Sequence, residues 1–265
     1  MTPSPVTTAV VAPLAPALVA PVCELLLSMA DDEAILGWTD SEWTGIAPLL
    51  EEDVAMSSLS QDELGHAQVL YGLLAGLTGT DADTLAYDRE PSEYRHARLL
   101  DHGRGDWAMT IARRFLYEHA DALRLDALSG GTWAPLAQAV ASIAREERYH
   151  RMHIDAWLVR LAQADGEPRG RLIEGLTTLA PDAGTVFTPL PGEPALIDAG
   201  ILAAPMTELE ARWRAAIKPT LASLGLPEPP ATTDPTHGRT SHGHAFTDLH
   251  ASFTSVRRSD PGATW

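Results

Sequence analysis

The sequence predicts an all-α protein built around a four-helix bundle. Four long segments carry apolar residues spaced alternately three and four positions apart, which is the period of a helix that buries one face. Glycine and proline interrupt the chain between these segments, and no alternating strand pattern rises above noise. With 265 residues, 45% of them hydrophobic, the chain is long enough to bury a substantial core.

The four long helices are expected to form two pairs. Gly45 and Pro48 separate the first two helices, and the break at Gly130 and Gly131 separates the last two. Residues 80–105 show no sustained period, so we expect a long connection, with room for one short helix, that crosses from one end of the bundle to the other. The predicted long helices span about residues 17–43, 50–77, 106–129 and 132–163.

Beyond the bundle, two additional helices are expected, at about 169–179 and 206–224. The predicted organisation is a flexible lead-in at 1–14, a helical bundle at 15–225 and a Pro/His-rich tail at 226–265. The tail is expected to be mostly irregular, with a possible short helix at 244–256. A metal role is disfavoured for its histidines, because no regular ligand spacing relates His237, His242, His244 and His250.

Charge and composition exclude several classes of partner. The net charge of −17 and the estimated pI of 4.8 make nucleic acid and an anionic membrane surface poor partners. The N-terminal stretch lacks a basic segment and contains five prolines within its first 21 residues, which argues against a signal peptide and a membrane span. Cys23 is the single cysteine, so no intrachain disulfide can form. We expect a cytoplasmic protein.

Two polar residues interrupt the apolar face of the second helix. Glu63 and His66 fall within this face and are costly to bury unless something neutralises them. The face consists of Met56, Leu59, Glu63, His66, Leu70, Leu73 and Leu77. The fourth helix repeats the anomaly with Glu147 and His150, on a face made of Leu136, Val140, Ile143, Glu147, His150, Ile154, Trp157 and Leu161.

These two Glu-x-x-His pairs predict a dinuclear metal site. Residues three apart on a helix face the same way, so a carboxylate and an imidazole can bind one ion together. A four-helix bundle that holds two iron or manganese ions also needs one carboxylate from each remaining helix. Glu33 and Glu118 meet this need, at 30 and 29 residues before the corresponding motif glutamates. The predicted ligands are Glu33, Glu63, His66, Glu118, Glu147 and His150.

A metal-free bundle with a buried, hydrogen-bonded polar layer is the alternative. Four clustered carboxylates repel one another unless protons or cations intervene, which favours metal. Asp121 is either a residue that orients a histidine or a solvated helix position. A third pair, Glu93 and His96, follows a proline in the connection and is interpreted as a surface coincidence. No residue is assigned a catalytic role.

Several separated runs resemble the C-type subunits (PaaC) of ring-1,2-phenylacetyl-CoA epoxidases, a branch of the ferritin-like di-iron superfamily. The runs are EWTGIAPLLEEDVAMSSLSQDELGHAQVLY, DWAMTIARRFLYE, AREERYHRMHIDAWLVRL and RRSDPGATW. The resemblance implies a ferritin-like bundle that pairs with a catalytic, di-iron A-type subunit. It also implies a bridging B-type subunit and a reductase, which together with this pair epoxidise phenylacetyl-CoA in aerobic phenylacetate breakdown.

This sequence differs from the pattern that the resemblance implies. Structural C-type subunits typically have apolar or amide residues at positions matching Glu33, Glu63, His66 and Glu147. Here all six predicted ligands are present. Three functions therefore stand beside one another: a C-type subunit that retains two iron or manganese ions, a stand-alone di-iron oxygenase or oxidase, and a metal-free structural bundle.

Overall fold

A computed structural model describes residues 13–231 and 238–260. In these residues the chain forms ten α-helices and three short 3₁₀ turns, and no strand occurs among them. The α-helices are α1 Pro16–Ser41, α2 Leu50–Thr78, α3 Ala82–Tyr87, α4 Trp107–Ser129, α5 Ala134–Gln163, α6 Glu167–Leu179, α7 Glu193–Asp198, α8 Met206–Leu224, α9 His244–Phe253 and α10 Ser255–Ser259. The 3₁₀ turns are Pro91–Glu93, Arg98–Leu100 and Ala183–Phe187.

The four long helices α1, α2, α4 and α5 form a ferritin-like bundle, and this confirms the all-α prediction. Helix α1 packs along α2, and α4 packs along α5. Local sequence sets the helix ends: the Asp106 carboxylate accepts a hydrogen bond of 2.9 Å from the Met109 N–H at the start of α4. Gly79 ends α2 with a φ of 75°, which glycine adopts without strain.

Helix boundaries agree with the sequence-based expectation to within three residues at the ends of the four long helices. The connection between α2 and α4 contains one short helix, as expected, and two 3₁₀ turns in addition. Helix α7 was not predicted, because six residues are too few to show a helical period. None of the described helices is long and apolar enough to cross a membrane.

Helix α1 buries carboxylates as well as apolar side chains. Three of these carboxylates, all aspartates, meet an arginine from another part of the chain, and such pairing reduces the cost of burying charge. The arginines come from the connection, from α4 and from the C-terminal segment 238–260. The pairs are Asp31 with Arg89, Asp32 with Arg124 and Arg239, and Asp40 with Arg113 and Arg114.

The C-terminal segment packs onto the bundle through helix α9 and the turn before it. The Arg239 guanidinium is buried and lies 2.9 Å from Asp32. Phe246 is buried as well, which shows that the tail contributes to the core. The predicted short helix is confirmed as α9. Most of the predicted lead-in and His237 lie outside the described residues, and the domain boundaries stay a prediction.

Candidate metal centre

The structure brings the six predicted ligands together at the middle of the bundle. They form two overlapping groups, and both groups contain Glu63 and Glu147. Within each group, one ligand atom per residue lies within 4.8 Å of the others. One group adds Glu33 and His66, and the other adds Glu118 and His150. Two sets with two shared carboxylates match a dinuclear site in which those carboxylates lie between the ions.

All six side chains are buried, and the bundle is narrow at their depth. On α1, one turn after Glu33, Gly37 lies against α2: a Cβ atom at this position would meet the Ser60 carbonyl oxygen at 3.0 Å and the Glu63 Cβ at 3.1 Å. Glycine therefore lets α1 approach α2 closely beside the cluster. Because residues i and i+3 share a helix face, each Glu-x-x-His pair points inward together.

Many of the oxygen and nitrogen atoms that could bind a metal ion in this cluster make no hydrogen bond to another described residue. An unpartnered buried polar atom is costly, so a whole set of them that faces one centre indicates a missing positive charge or ion. The ligand set itself, carboxylate oxygens and imidazole nitrogens, suits iron or manganese. The residues thus fit a dinuclear metal. The atoms without a hydrogen bond are Glu33 Oε2, both carboxylate oxygens of Glu63 and of Glu147, Glu118 Oε2, His66 Nδ1 and His150 Nδ1. Of these, Glu63 Oε1 lies 2.9 Å from the Arg114 guanidinium, and the two Nδ1 atoms lie 3.3–3.7 Å from carboxylates of the cluster.

Each histidine presents Nδ1 to the cluster and Nε2 to a carboxylate from the opposite helix. His66 Nε2 on α2 lies 2.9 Å from Glu146 Oε2 on α5. His150 Nε2 on α5 lies 3.1 Å from Asp62 Oδ2 on α2. A carboxylate at Nε2 fixes the proton there and leaves Nδ1 free to bind metal.

Both sequence-based interpretations of Asp121, a histidine-orienting residue or a solvated helix position, are wrong. Asp121 is buried and pairs with Arg124, three residues along the same helix. The correct signal for the orienting residues was available in the sequence, since Asp62 and Glu146 directly precede Glu63 and Glu147. A residue one position before the motif glutamate reaches the neighbouring helix rather than its own histidine.

Arg114 introduces a positive charge that the sequence analysis did not anticipate. It lies one turn before Glu118 on α4 and is fully buried. Its Nη1 is 2.5 Å from Glu118 Oε1 and 2.9 Å from Glu63 Oε1, and its Nε is 2.5 Å from Asp40. One guanidinium therefore offsets part of the charge of the carboxylates on one side of the cluster.

The other side of the cluster is bounded by a neutral hydroxyl. Tyr117 O–H donates a 3.0 Å hydrogen bond to Glu33 Oε1. Arg124 Nη2 in turn donates to the Tyr117 oxygen at 3.1 Å. Burial, together with the nearby charge of Glu33, raises the pKa of Tyr117 well above its usual value, so the phenol keeps its proton. Tyr117 thus holds Glu33 without adding charge.

Burial and the mutual repulsion of the carboxylates favour protons on two of the four glutamates. Burial and the neighbouring Glu63 raise the pKa of Glu33, and burial with Glu147 raises the pKa of Glu118. Burial works in the same direction on Glu63 and Glu147, but Arg114 lowers the pKa of Glu63, and both histidines lower the pKa of Glu147 to about 2. Glu33 and Glu118 therefore hold a proton more readily than Glu63 and Glu147 do.

The histidines are charged when no metal is bound. Burial opposes this, but His150 Nδ1 lies 3.3 Å from Glu147 and 3.4 Å from Glu63, and these two carboxylates, which accept from the protonated ring, raise the pKa of His150 to about 11. Contacts with Glu147 and Glu33 also raise the pKa of His66 far above its usual value. Metal ions bind carboxylates and neutral imidazoles, so metal uptake at this cluster must release protons.

Glu93 and His96, the third Glu-x-x-His pair, do not form a site together. The sequence analysis placed both residues on the surface, which is correct for Glu93 and wrong for His96. Glu93 is exposed and caps its own turn by accepting a 2.7 Å hydrogen bond from the Glu90 N–H. His96, interpreted as a surface residue, is instead completely buried against the C-terminal segment. The connection packs against the C-terminal segment, which is more than 140 residues away in sequence. A local hydrophobic period cannot reveal such a contact.

Comparison with known proteins identifies the family. The sequence model of the phenylacetic acid catabolic protein family matches residues 14–265. The chain is similar to the C-type subunit of the 1,2-phenylacetyl-CoA epoxidase of Escherichia coli (strain K12), with 27% identity over 241 residues, covering 90% of this chain and 97% of that protein. The chain therefore belongs to the phenylacetic acid catabolic protein family.

Proposed function

We propose that the chain is a cytoplasmic component of a multisubunit phenylacetyl-CoA epoxidase in aerobic phenylacetate breakdown, and that it retains a dinuclear metal site. It pairs with the catalytic A-type subunit and with the B-type subunit, and a reductase serves the assembly indirectly. The family and the likeness to a C-type epoxidase subunit support the pathway. The buried cluster of unpartnered ligand atoms supports the metal site.

Two iron ions, when bound, would supply activation of O2. The protein's own contribution is to hold the ions in fixed positions. Glu63 and Glu147, which belong to both ligand groups, would hold the ions together with Glu33, Glu118 and the Nδ1 atoms of His66 and His150. Asp62 and Glu146 keep the histidine protons on the outer nitrogens. The packed bundle excludes water from these groups, because all six predicted ligands are buried.

Exposed apolar side chains on α2 and α5 support pairing with another protein of the assembly. Leu50 and Val54 lie near the start of α2, and Tyr149 and Met152 lie on α5, each more than 60% exposed. The ion pair between Glu52 and His153, 3.0 Å long, joins these two stretches of helix. Large exposed apolar side chains that lie close together are typical of protein–protein contacts.

A metal-free structural bundle is the second candidate, and Arg114 favours it. Its guanidinium lies against Glu63 and Glu118 and offsets charge that an ion would otherwise offset. With two protonated carboxyls and two charged histidines, the cluster can persist without metal. The two overlapping ligand sets weigh toward metal, because several of their carboxylate oxygens have no hydrogen bond, whereas a purely structural polar layer is hydrogen-bonded throughout.

Metal content tests the proposal directly. In the chain purified alone after iron-supplemented expression, the dinuclear centre is expected to hold about two metal ions, measured as the metal content that the wild type has above the double variant described next. The double variant His66→Gln/His150→Gln is expected to lose both ions while keeping the helical circular dichroism. His119→Gln is the matched control, since His119 pairs with Asp155 away from the cluster. A fully folded wild-type chain that takes up no iron or manganese would leave the structural bundle as the function.

Pairing within the assembly is tested by co-expression with an A-type subunit. The two chains are expected to purify together, and Leu50→Glu/Met152→Glu is expected to abolish that pairing without loss of helicity. A stand-alone oxygenase predicts the opposite result, no pairing at micromolar concentration. Because metal content is measured on the chain alone, the two halves of the proposal can fail independently.

A further inference from the structure

A second cluster of ligand-type side chains lies at the junction of the connection with the C-terminal segment. Three residues from distant parts of the chain contribute: His96 and Asp101 lie between α2 and α4, and His242 lies just before α9. One ligand atom from each lies within 4.8 Å of the others. The side chains are 0%, 10% and 5% exposed, respectively. No member of this cluster belongs to the dinuclear centre.

The hydrogen bonds around His242 leave a lone pair facing a carboxylate. His242 Nε2 lies 3.0 Å from the Tyr94 carbonyl oxygen, which can only accept, so Nε2 carries a proton. In the neutral ring Nδ1 is then unprotonated. It lies 3.3 Å from Asp101 Oδ1 and makes no hydrogen bond within the described part of the chain. When the ring is neutral, two acceptor atoms this close repel each other unless a proton or a metal cation lies between them.

His96 directs its own nitrogen at the same carboxylate oxygen. His96 Nε2 lies 3.0 Å from Asp101 Oδ1, and the imidazole rings of His96 and His242 stack with centroids 4.1 Å apart. The other Asp101 oxygen accepts a hydrogen bond from the Gly243 N–H, which fixes the carboxylate. A neutral imidazole and an ionised carboxylate are the forms that bind metal.

We propose that His96, Asp101 and His242 form a mononuclear site for a divalent transition-metal ion, which fastens the C-terminal segment to the connection between α2 and α4. Two imidazoles and one carboxylate suit Zn²⁺ or Fe²⁺ and leave at least one coordination position open. At metal–nitrogen distances of about 2.0–2.1 Å, the two stacked rings must open. His242 lies in a loop before α9, so its ring can rotate without moving a helix.

A cavity beside the cluster gives an ion a path to the ligands, and a bound ion would attach the C-terminal segment to the rest of the fold. A cavity of about 280 Å³ reaches Asp101 and is also lined by Leu100, Gly103 and Phe246. Arg239, three residues before His242, is held by Asp32 on α1. The ion would therefore add a second attachment next to an existing one, and would join residues 141 positions apart in sequence.

Metal titration in a chain without the dinuclear centre tests the proposal. The background is His66→Gln/His150→Gln, treated with chelator and then titrated with Co²⁺ and with Zn²⁺. We expect one ion to bind and Co²⁺ to develop visible d–d absorption. Adding His242→Gln or Asp101→Asn should weaken binding at least about tenfold, whereas His102→Gln, whose ring pairs with Asp182, should leave it unchanged.

Protection of the C-terminal segment supplies a readout that does not depend on affinity. In the background chain, Zn²⁺ should slow proteolytic cleavage within residues 238–260, and His242→Gln should remove this effect. A background chain that binds neither ion at micromolar concentration would overturn the proposal, as would equal binding in His242→Gln. Loss of the two dinuclear equivalents from the wild-type chain would instead count against the proposed function, and would leave this site untouched.

Discussion

The two halves of the candidate metal centre differ in what surrounds them, although each half adds one glutamate and one histidine to the shared pair. The position at Glu33 and His66 is bounded by the neutral Tyr117 hydroxyl, 3.0 Å from Glu33. The position at Glu118 and His150 is bounded by the Arg114 guanidinium, 2.5 Å from Glu118. Like charges repel, so a cation already at the second position opposes binding of an ion there.

This difference implies stepwise metal binding. The first ion is expected at the Glu33 side, where no fixed cation competes, and the second at the Glu118 side. Arg114 also serves the metal-free protein, because it partners carboxylates that would otherwise be buried without a counterion. One residue thus stabilises the fold before metal binds and weakens the second ion afterwards.

Arg114→Met should give the largest effect. Losing the cation leaves Glu63 and Glu118 without their partner, so the metal-free chain should lose about 3–5 kcal/mol of unfolding free energy at pH 7. Metal should recover most of this loss, and the second ion should bind more tightly than in the wild type. Urea unfolding with and without metal, together with calorimetric titration, measures both quantities.

Arg113→Met is the matched control for that experiment. Arg113 also pairs with Asp40 and is fully buried, but it contacts no ligand of the cluster. Loss of Arg113 should also destabilise the chain. Adding metal should then raise the unfolding free energy of this variant only by as much as it raises that of the wild type. Equal recovery by metal in both variants would show that Arg114 does not compete with the second ion.

Tyr117→Phe should give an intermediate effect on the other side of the cluster. The substitution leaves Glu33 Oε1 and Arg124 Nη2 each one partner short, a loss of about 1–3 kcal/mol in unfolding free energy. The first metal ion should bind more weakly while the second is unaffected. Tyr94→Phe, which loses a hydrogen bond to the Ala86 carbonyl, should leave both metal affinities unchanged. If only the second ion were lost, the first ion would have to be assigned to the Glu118 side rather than the Glu33 side.

Removing the carboxylates behind the histidines should give the smallest effect. Asp62→Ala and Glu146→Ala each free one outer nitrogen, and each should lower metal affinity about tenfold at its own position. Stability should change little, because both carboxylates are exposed to solvent. Asp155→Ala, which frees the unrelated His119, is the control. Equal loss at both positions in either variant would show that the positions are not separable.

The bundle and its ligands were predictable because both leave local periodic signals. The alternation of three and four residues located the helices, and the same alternation exposed Glu63, His66, Glu147 and His150 as polar residues on buried faces. The partner carboxylates Asp62 and Glu146 were missed although they are adjacent to the motif. Their contacts cross between helices, and a single-helix pattern does not report such contacts.

The sequence by itself determined the helical class, the order of the long helices and the identity of the candidate ligands. Only the tertiary structure decided which charged side chains from distant segments of the chain lie against one another. Arg114 lies on the buried face of α4, and Arg239 and His242 lie in a stretch whose composition predicts irregular chain, yet all three meet carboxylates from α1, α2 or the connection. Periodicity records which face of a helix is buried. It carries no information about which distant residue packs against that face, because that pairing depends on the whole fold.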